Sequence, residues 1–488
     1  MKILIAAAEA VPFAKVGGLA DVTGALPKAL ERLGHDVRVV IPKYQRIQDA
    51  KFNLELALPR LQVPMDDQLE TASVKRGAIG EDVPVYLIDS ERFFDREGVY
   101  GYPDDDERFV FFSRAILEML PELGWQPDVI HCNDWHTAII PNWLETLYRD
   151  DPRYAGIATL FTIHNLAYQG IFGHRVLEIA GIGSFGFVYA DRGGDGHVVD
   201  LLGRGLQFAD AINTVSEQYA REIQTAEFGE GMEEVLVARR DRLFGILNGL
   251  DYDELDPGHD RHIAVNYDVG SLDRRPQNKL ALQREARLPL DPDVPLVGMV
   301  SRLADQKGFD ALAGALEALV QLPLQLVVMG TGEQQYHELL TEASKRYPNL
   351  AIFLTFSTPL AQKIYAGSDM FLMPSRLEPC GLGQLIAMRY GSVPIVRRTG
   401  GLADTVEDYD PRTGQGNGFV FDAYNSHALF GAVVRALEYY KSRDIWRSLV
   451  ERDMRLDFSW AISAQRYVEV YSKAIELHRA ERLVPAAT

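Results

Sequence analysis

Short apolar, β-rich runs alternate with helical stretches along almost the whole chain, and this alternation restricts the fold more than any other feature. KILIAAAE, DVRVVIP, VPVYLID, DVIHCND, IATLFTIHN and DAINTVS read as strands, and PLVGMVSR, LQLVVMG, LAIFLTF, MFLMPS and VPIVRR resume the rhythm from Pro295. Helical segments such as Phe309 to Val320 and Glu333 to Arg346 lie between them. Strands alternating with helices pair in parallel, and runs that are apolar on both sides of the pleat need helices on both faces. The class is therefore α/β. A chain of 488 residues exceeds one ordinary core, so two domains are expected. The rhythm stops at ILNGLDYDELDP, where Asn-Gly and Asp-Pro mark turns, and this places a hinge near Asn248. The expected division is a Rossmann-like domain over 1–245, a second over 246–460, and a terminal helix over 461–488. Ile462, Tyr467, Val470, Tyr471 and Ile475 give that tail helical spacing, and it is placed to pack back across the hinge.

Composition narrows the function. No apolar run reaches the roughly 20 residues that span a bilayer. The opening MKILIAAAEA reads as a buried first strand and not as a signal peptide, because Glu9 ends the apolar run and a Gly-rich turn follows; nor does a Ser/Arg-rich leader precede it. A formal charge of −19 repels nucleic acid and anionic membranes, so an anionic ligand must be met by locally gathered Lys and Arg. Two cysteines, Cys132 and Cys380, make no disulfide framework and point to a reducing compartment, hence the cytoplasm.

The basic residues do gather beside Gly-rich turns. KVGGLADV, starting at Lys15, sits between a strand and a helix that is expected to start near Asp21. Glycines there permit a positive φ and close backbone approach, and exposed N–H groups with the Lys15 charge would hold an anion. The same five letters return in RTGGLADTV, with Thr399 and Gly400 at its turn and Arg397 and Arg398 beside it. Two such turns at the carboxyl ends of strands would give one wall each to a common site. SRLADQKG brings Arg302 and Lys307 to another strand end, where two cations suit a diphosphate leaving group. PSRLEPCGLGQL sets Glu378 ahead of Cys380, Gly381 and Leu382, and the carboxylate is expected to face sugar hydroxyls. HCNDWHTAI and FTIHNLAYQG place Asp134, Trp135, His136, His164 and Asn165 after two strands, a mixture of rings and polar groups suited to carbohydrate. The histidines show no zinc-ligand spacing. Asp104 to Asp106 read as a solvated helix start, not a metal site. The residues alone thus support a nucleotide-sugar transferase. A sucrose- or trehalose-forming enzyme using UDP-glucose and a non-catalytic glucan-binding protein stay open beside it, while a dinucleotide oxidoreductase lacks its GxGxxG and acidic partner.

Taken together, KVGGLADV, HCNDWHTA, TIHNLAYQG, ILNGLDYDELDP, SRLADQKG, PSRLEPCGLGQL and VRRTGGLADTV resemble, in content and order, the bacterial glycogen synthases of the ADP-glucose-using type, close kin of plant starch synthases. The resemblance implies a GT-B fold, two Rossmann-like domains facing a deep interdomain cleft. It implies transfer of glucose from ADP-glucose to the non-reducing 4-OH of an α-1,4-glucan such as glycogen, with retention and release of ADP, and with no metal or other cofactor. By motif, Lys15, Arg302 and Lys307 would bind the diphosphate, and backbone at Gly18 and at Cys380, Gly381 and Leu382 would approach the donor. Asp21, Asn248, His164 and Glu378 would hold the nucleotide sugar, the last two nearest the glucose, with Asp134 where the acceptor enters. Two positions depart from the family pattern. Val16 stands where Thr is usual, and Phe356 stands where some relatives carry a Tyr near the adenine, so the ring remains without its hydroxyl.

Overall fold

The computed structural model describes residues 1–191 and 198–483. They form two compact units, one comprising Met1–Gly249 and the segment from Trp460 onward, the other Leu250–Ser459.

The first unit is built on a nine-stranded sheet. Its strands are β1 (Lys2–Ala6), β2 (Asp36–Pro42), β3 (Glu55–Met65), β4 (Gln68–Ile79), β5 (Val83–Asp89), β6 (Val129–Asn133) and β7 (Ala158–Ile163); a separate pair, β8 (Ile171–Gly173) and β9 (Val198–Asp200), follows, and then β10 (Ala211–Thr214) and β11 (Leu243–Gly245). The order across the sheet is β11-β10-β7-β6-β1-β2-β5-β4-β3. β1 is central, pairing in parallel with β2 (Ile3 opposite Val37) and with β6 (Ile3 opposite Val129). KILIA is thus an interior strand, its last four residues fully buried.

One edge departs from the all-parallel expectation. β3 and β4 form a long antiparallel hairpin laid against β5. Its tight turn puts Asp66 in the left-handed region (φ 51°), a conformation that aspartate tolerates better than most residues. Ahead of the helix Asp105–Glu122, the aspartate run is not merely solvated. Asp105 is buried, accepts from the Gly101 N–H at 2.8 Å and pairs at 2.5 Å with Arg108, which is itself fully buried.

The terminal helix, Trp460–Leu483, belongs to the first unit, and residues 484–488 of the expected 461–488 segment lie outside the described residues. Its buried polar groups meet the sheet: the Tyr471 hydroxyl lies 2.8 Å from His131 Nδ1, and Asn213 Nδ2 donates to the Tyr467 hydroxyl at 3.3 Å. Further along, His478 Nδ1 lies 3.1 Å from Asp210. His131 is therefore a packing residue, and burial holds its pKa down at about 3.

In the second unit a six-stranded parallel sheet comprises β12 (Leu296–Val300), β13 (Gln325–Met329), β14 (Leu350–Phe353), β15 (Met370–Met373), β16 (Val393–Arg397) and β17 (Phe419–Phe421). Its order, β14-β13-β12-β15-β16-β17, is the doubly wound 3-2-1-4-5-6 pattern. Helices such as Phe309–Leu319, Thr358–Gly367 and Ser426–Tyr440 cover it and bury Leu312, Leu316, Ile364 and Val433 against the strand side chains.

Candidate active site

In an open parallel sheet, ligands sit beyond the carboxyl ends of the strands where the strand order reverses. In the first unit that point falls between β1 and β6, and in the second between β12 and β15. The chain leaving β1 reaches Glu9, and the chain leaving β6 reaches Asp134. β12 leads into Arg302 and Lys307, and β15 into Ser375 and Glu378. The two switch points therefore collect carboxylates and cations from motifs far apart in sequence.

The first Gly-Gly turn differs from its expected form. The helix begins at Gly18 with Gly17 as its N-cap, so Asp21 lies in the first turn and is no cap. Asp21 instead accepts from Lys15 Nζ at 2.6 Å on the surface. Gly17 has φ −135° and ψ −166°, extended backbone open to any residue, and a Cβ there would meet only Glu9 Oε1, at 3.7 Å. The expected need for positive φ is absent. Nor do the turn's amides stand open: the Val16 N–H donates to Glu9 Oε2, and the Gly17 N–H to the same carboxylate at 3.2 Å. Burial raises the Glu9 pKa against the lowering effect of these bonds.

Asp134 sits in a conformation that is almost confined to glycine, φ 54° and ψ −177°. The His164 N–H donates to its Oδ1 at 2.8 Å and fixes the carboxyl at the mouth of β6 and β7. Burial drives the Asp134 pKa up to about 7, opposed by that N–H and helped by the nearby Glu9 charge. His164 Nε2 lies 2.9 Å from Asn133 Oδ1, and burial holds the ring neutral with a pKa of about 3, so Nε2 carries the proton and donates. Asn165 Oδ1 accepts from the Ala167 N–H at 3.1 Å, which shapes the loop after β7. Behind Asp134, His136 packs between Tyr100 (ring centroids 4.7 Å) and Phe109 (4.6 Å) and is also neutral, its pKa about 3. Trp135 lies under Gly170, where a Cβ would come within 2.5 Å of the indole, so this glycine (φ 67°) is required by the ring.

In the second unit Lys307 Nζ pairs with both Glu378 oxygens, at 2.7 and 2.8 Å, and Ser375 Oγ donates to Oε2 at 2.9 Å. Glu378 is only 6% exposed and lies well ahead of the helix Gly383–Arg389, so it is no helix-start carboxylate. The carboxylate expected to face sugar hydroxyls is in contact with Lys307. Arg302 stands exposed in the same loop as Lys307. The second Gly-Gly turn is a packing device. Gly400 has φ 43° and a Cβ on it would fall 2.1 Å from the Glu378 carbonyl, while one on Gly401 would fall 1.9 Å from that of Cys380. The Gly401 N–H donates to the carbonyls of Glu378 and Pro379, at 3.1 Å each. Thr399 is the buried N-cap position of the helix Gly400–Thr405. Cys380 is buried, Gly381 takes φ 72°, and Leu382 precedes Gly383–Arg389.

The structure thus joins Lys15 with Asp21, Asp134 with His164, Lys307 with Glu378, and Gly400 with the Glu378 backbone. Phe356 stands 69% exposed after β14. Asn248 is buried, and its Oδ1 has no donor among the described residues. Sequence reasoning missed Glu9, Tyr100, Asn133 and Ser375; for Glu9 and Asn133 the available signal was their position at the ends of predicted strands. A cavity of about 630 Å³ lined by Met1, Lys2, Asp36 and Asp128 lies at the opposite, amino ends of the strands and holds none of these residues. Among the described residues no three His, Cys, Asp or Glu side chains are grouped to hold a metal ion, and no helix is long and apolar enough to cross a membrane.

Two doubly wound units with charged loops beyond their switch points fit one class: a glycosyltransferase of GT-B type. The comparisons sharpen this. Residues 2–238 match the starch synthase catalytic domain, and residues 283–451 the group 1 glycosyl transferases. A glycogen synthase of Desulforudis audaxviator is 48% identical over 99% of this chain and 98% of its own, and one of Moorella thermoacetica 49% identical over 98% of each. The catalytic domain of starch synthase IV from Arabidopsis thaliana, solved bound to ADP and acarbose, superposes with a TM-score of 0.90 at 35% identity, covering 97% of this chain and 99% of that one. A sucrose-phosphate synthase from Thermosynechococcus elongatus (TM-score 0.60, 18% identity, 97% and 99% covered) shares the fold alone. The chain belongs to the glycogen and starch synthase family of glycosyltransferases.

Proposed function

We propose that the residues at the two switch points carry out the glycogen synthase reaction. Glucose passes from ADP-glucose to the non-reducing 4-OH of an α-1,4-glucan, with retained configuration and release of ADP. Arg302 and Lys307 take the diphosphate, and their charge stabilises the leaving group as negative charge develops on it. Lys15 adds a third positive charge, and backbone groups at Gly18, from Cys380 to Leu382 and at the turn of Thr399 and Gly400 approach the donor. His164 and Glu378 serve the glucose, with Asp21, Asn165 and Asn248 holding the nucleotide sugar and Phe356 offering its exposed ring to the adenine. Asp134 acts where the acceptor enters. Its carboxyl keeps a proton below pH about 7 and is charged above it.

The observation that supports the reading is the Lys307–Glu378 pair, a cation and a carboxylate in contact beyond adjacent central strands. Donor binding would draw Lys307 toward phosphate and free Glu378 for hydroxyls. No cofactor is called for, since Lys and Arg supply the neutralisation a divalent metal would otherwise give. The setting that goes with this reading is the cytoplasm, where the buried, unbridged Cys132 and Cys380 would stay reduced.

Incubation with glycogen and radiolabelled ADP-glucose or UDP-glucose, with and without EDTA, tests this. Label enters polymer from ADP-glucose and persists in EDTA. Incorporation from UDP-glucose alone, or activity abolished by EDTA, contradicts the proposal.

A further inference from the structure

Among the residues that neither the motifs nor the reaction account for, Glu9 stands out. It is a carboxylate in the loop just beyond the central strand β1, at the switch point of its sheet, and only 2% exposed. A buried carboxylate is costly unless its lone pairs are met by donors. Here they are met by the backbone N–H groups of Val16 and Gly17, with the Tyr100 hydroxyl as a third partner. The backbone at Glu9 is also fixed, because Thr23 Oγ1, from inside the following helix, donates to its carbonyl at 2.6 Å. Glu9 is thus tied to the turn through its side chain and to the helix through its main chain. The turn residues themselves have little else to hold them: Lys15, Val16, Gly17 and Gly18 are all exposed, a Cβ at Gly18 would meet nothing within 4 Å, and among the described residues Lys15 engages only Asp21, on the surface.

Tyr100 extends the connection. Its ring lies tilted on His136, which packs in turn on Trp135 with ring centroids 4.1 Å apart, and Trp135 follows Asp134 directly. A chain of bonded and packed groups therefore runs from the amides of the first turn, through Glu9, Tyr100 and His136, to the loop that carries Asp134. The titratable and charged groups facing Glu9 are Tyr100, Asp21, Asp134 and Tyr44.

We infer that Glu9 is a positioning residue. Its carboxylate occupies the Val16 and Gly17 amides, sets the path of the turn, and so presents Lys15 and the Gly18 backbone to the donor's phosphates, while Tyr100 keeps that carboxylate in register with the Asp134 loop. This rests on the reading that the first turn serves the donor diphosphate. It also reassigns the turn's own amides: those of Val16 and Gly17 serve Glu9, and the phosphate contact falls to Lys15 and to Gly18 onward.

The test uses the full chain, with ADP as the probe. Glu9→Gln keeps the shape but removes the negative charge that the two amides meet, and sets an NH₂ group at the oxygen that lies 3.3 Å from the Gly17 amide. ADP Kd and donor KM are expected to rise about tenfold, the scale of one lost charge-assisted hydrogen-bond pair, with kcat changed less than KM and the melting temperature held within a few degrees. Tyr100→Phe should follow in the same direction with a smaller, roughly threefold effect. Lys15→Gln is the control for the underlying reading. If Lys15→Gln weakens ADP but Glu9→Gln does not, the positioning role is wrong while the turn remains a donor site. If neither variant changes ADP binding, the turn is no donor site and the inference falls with it. Tighter ADP binding in Glu9→Gln would also overturn it, since the carboxylate would then be a competing internal anion.

Discussion

GGLAD occurs twice in this chain, and the two copies do different work. In the first the glycines are exposed, Gly17 is extended, and the turn is held by a carboxylate from elsewhere in the chain. In the second the glycines are buried, and their missing side chains let the turn lie directly on the carbonyls of Glu378 and Cys380. Equal letters here mean a similar local path, strand to turn to helix, but the reason for glycine is opposite. The first turn needs a partner for its amides. The second needs the absence of a Cβ, and through that contact it holds the backbone of the segment bearing Glu378.

The comparison can be broken at several points. The largest effect is expected where the second turn's support is used: Lys307→Ala removes the partner of Glu378 and the charge proposed for the leaving group. It should lower kcat by about 10²- to 10³-fold and, by leaving the buried Glu378 carboxylate without its cation, destabilise the protein by about 3 kcal/mol; unchanged turnover would remove Lys307 from the chemistry. Next, Gly401→Ala forces a Cβ to within 1.9 Å of the Cys380 carbonyl. It should cost about 3 kcal/mol in denaturant unfolding and weaken ADP binding with it. Should Gly401→Ala prove neutral, the packing account of the second turn fails.

Asp134→Gly sharpens the contrast between a strained residue and two turns whose glycines are already in place. It relieves the φ 54° conformation, worth about 1–3 kcal/mol, but takes the acceptor from the His164 N–H, a loss of similar size, so net stability near neutral pH should change by less than about 2 kcal/mol while turnover collapses. The pH dependence has a definite sign. The Asp134 pKa is near 7 when folded, against about 3.9 in an unfolded chain. A raised carboxyl pKa favours the protonated folded form, so the wild type loses stability as pH climbs from about 4 through 7. The glycine variant should lack that portion of the slope, so its stability relative to the wild type should be higher at pH 8 than at pH 5. The smallest effect belongs to Gly17→Ala. With extended backbone and open space, it should shift stability by less than about 1 kcal/mol, whereas a cost near that of Gly401→Ala would erase the distinction between the turns.

Much of this was legible in the sequence, for physical reasons. Parallel strands buried on both faces must be apolar throughout, so KILIA, DVRVVIP and QLVVM stand out. The charged loops that follow them mark the strand ends where ligands bind. The hairpin of β3 and β4 was less visible, because it lies at a sheet edge with irregular pairing between Leu56 and Leu61, and that breaks the alternation a half-exposed strand would show. Glu9 was read only as the end of an apolar run, since nothing local links it to amides seven and eight residues on. The role of Gly400 and Gly401 was equally hidden, because it depends on carbonyls about twenty residues earlier that only the folded chain brings near. Spacing reports which residues share an element, while a clash with a distant backbone leaves no trace in spacing.

The most direct test of the central claim is a crystal structure with ADP bound. The account predicts the diphosphate beyond the carboxyl ends of β12 and β15, in hydrogen-bond contact with Arg302 and Lys307. Density for ADP at the amino ends of the strands, or a diphosphate touching neither residue, would contradict it.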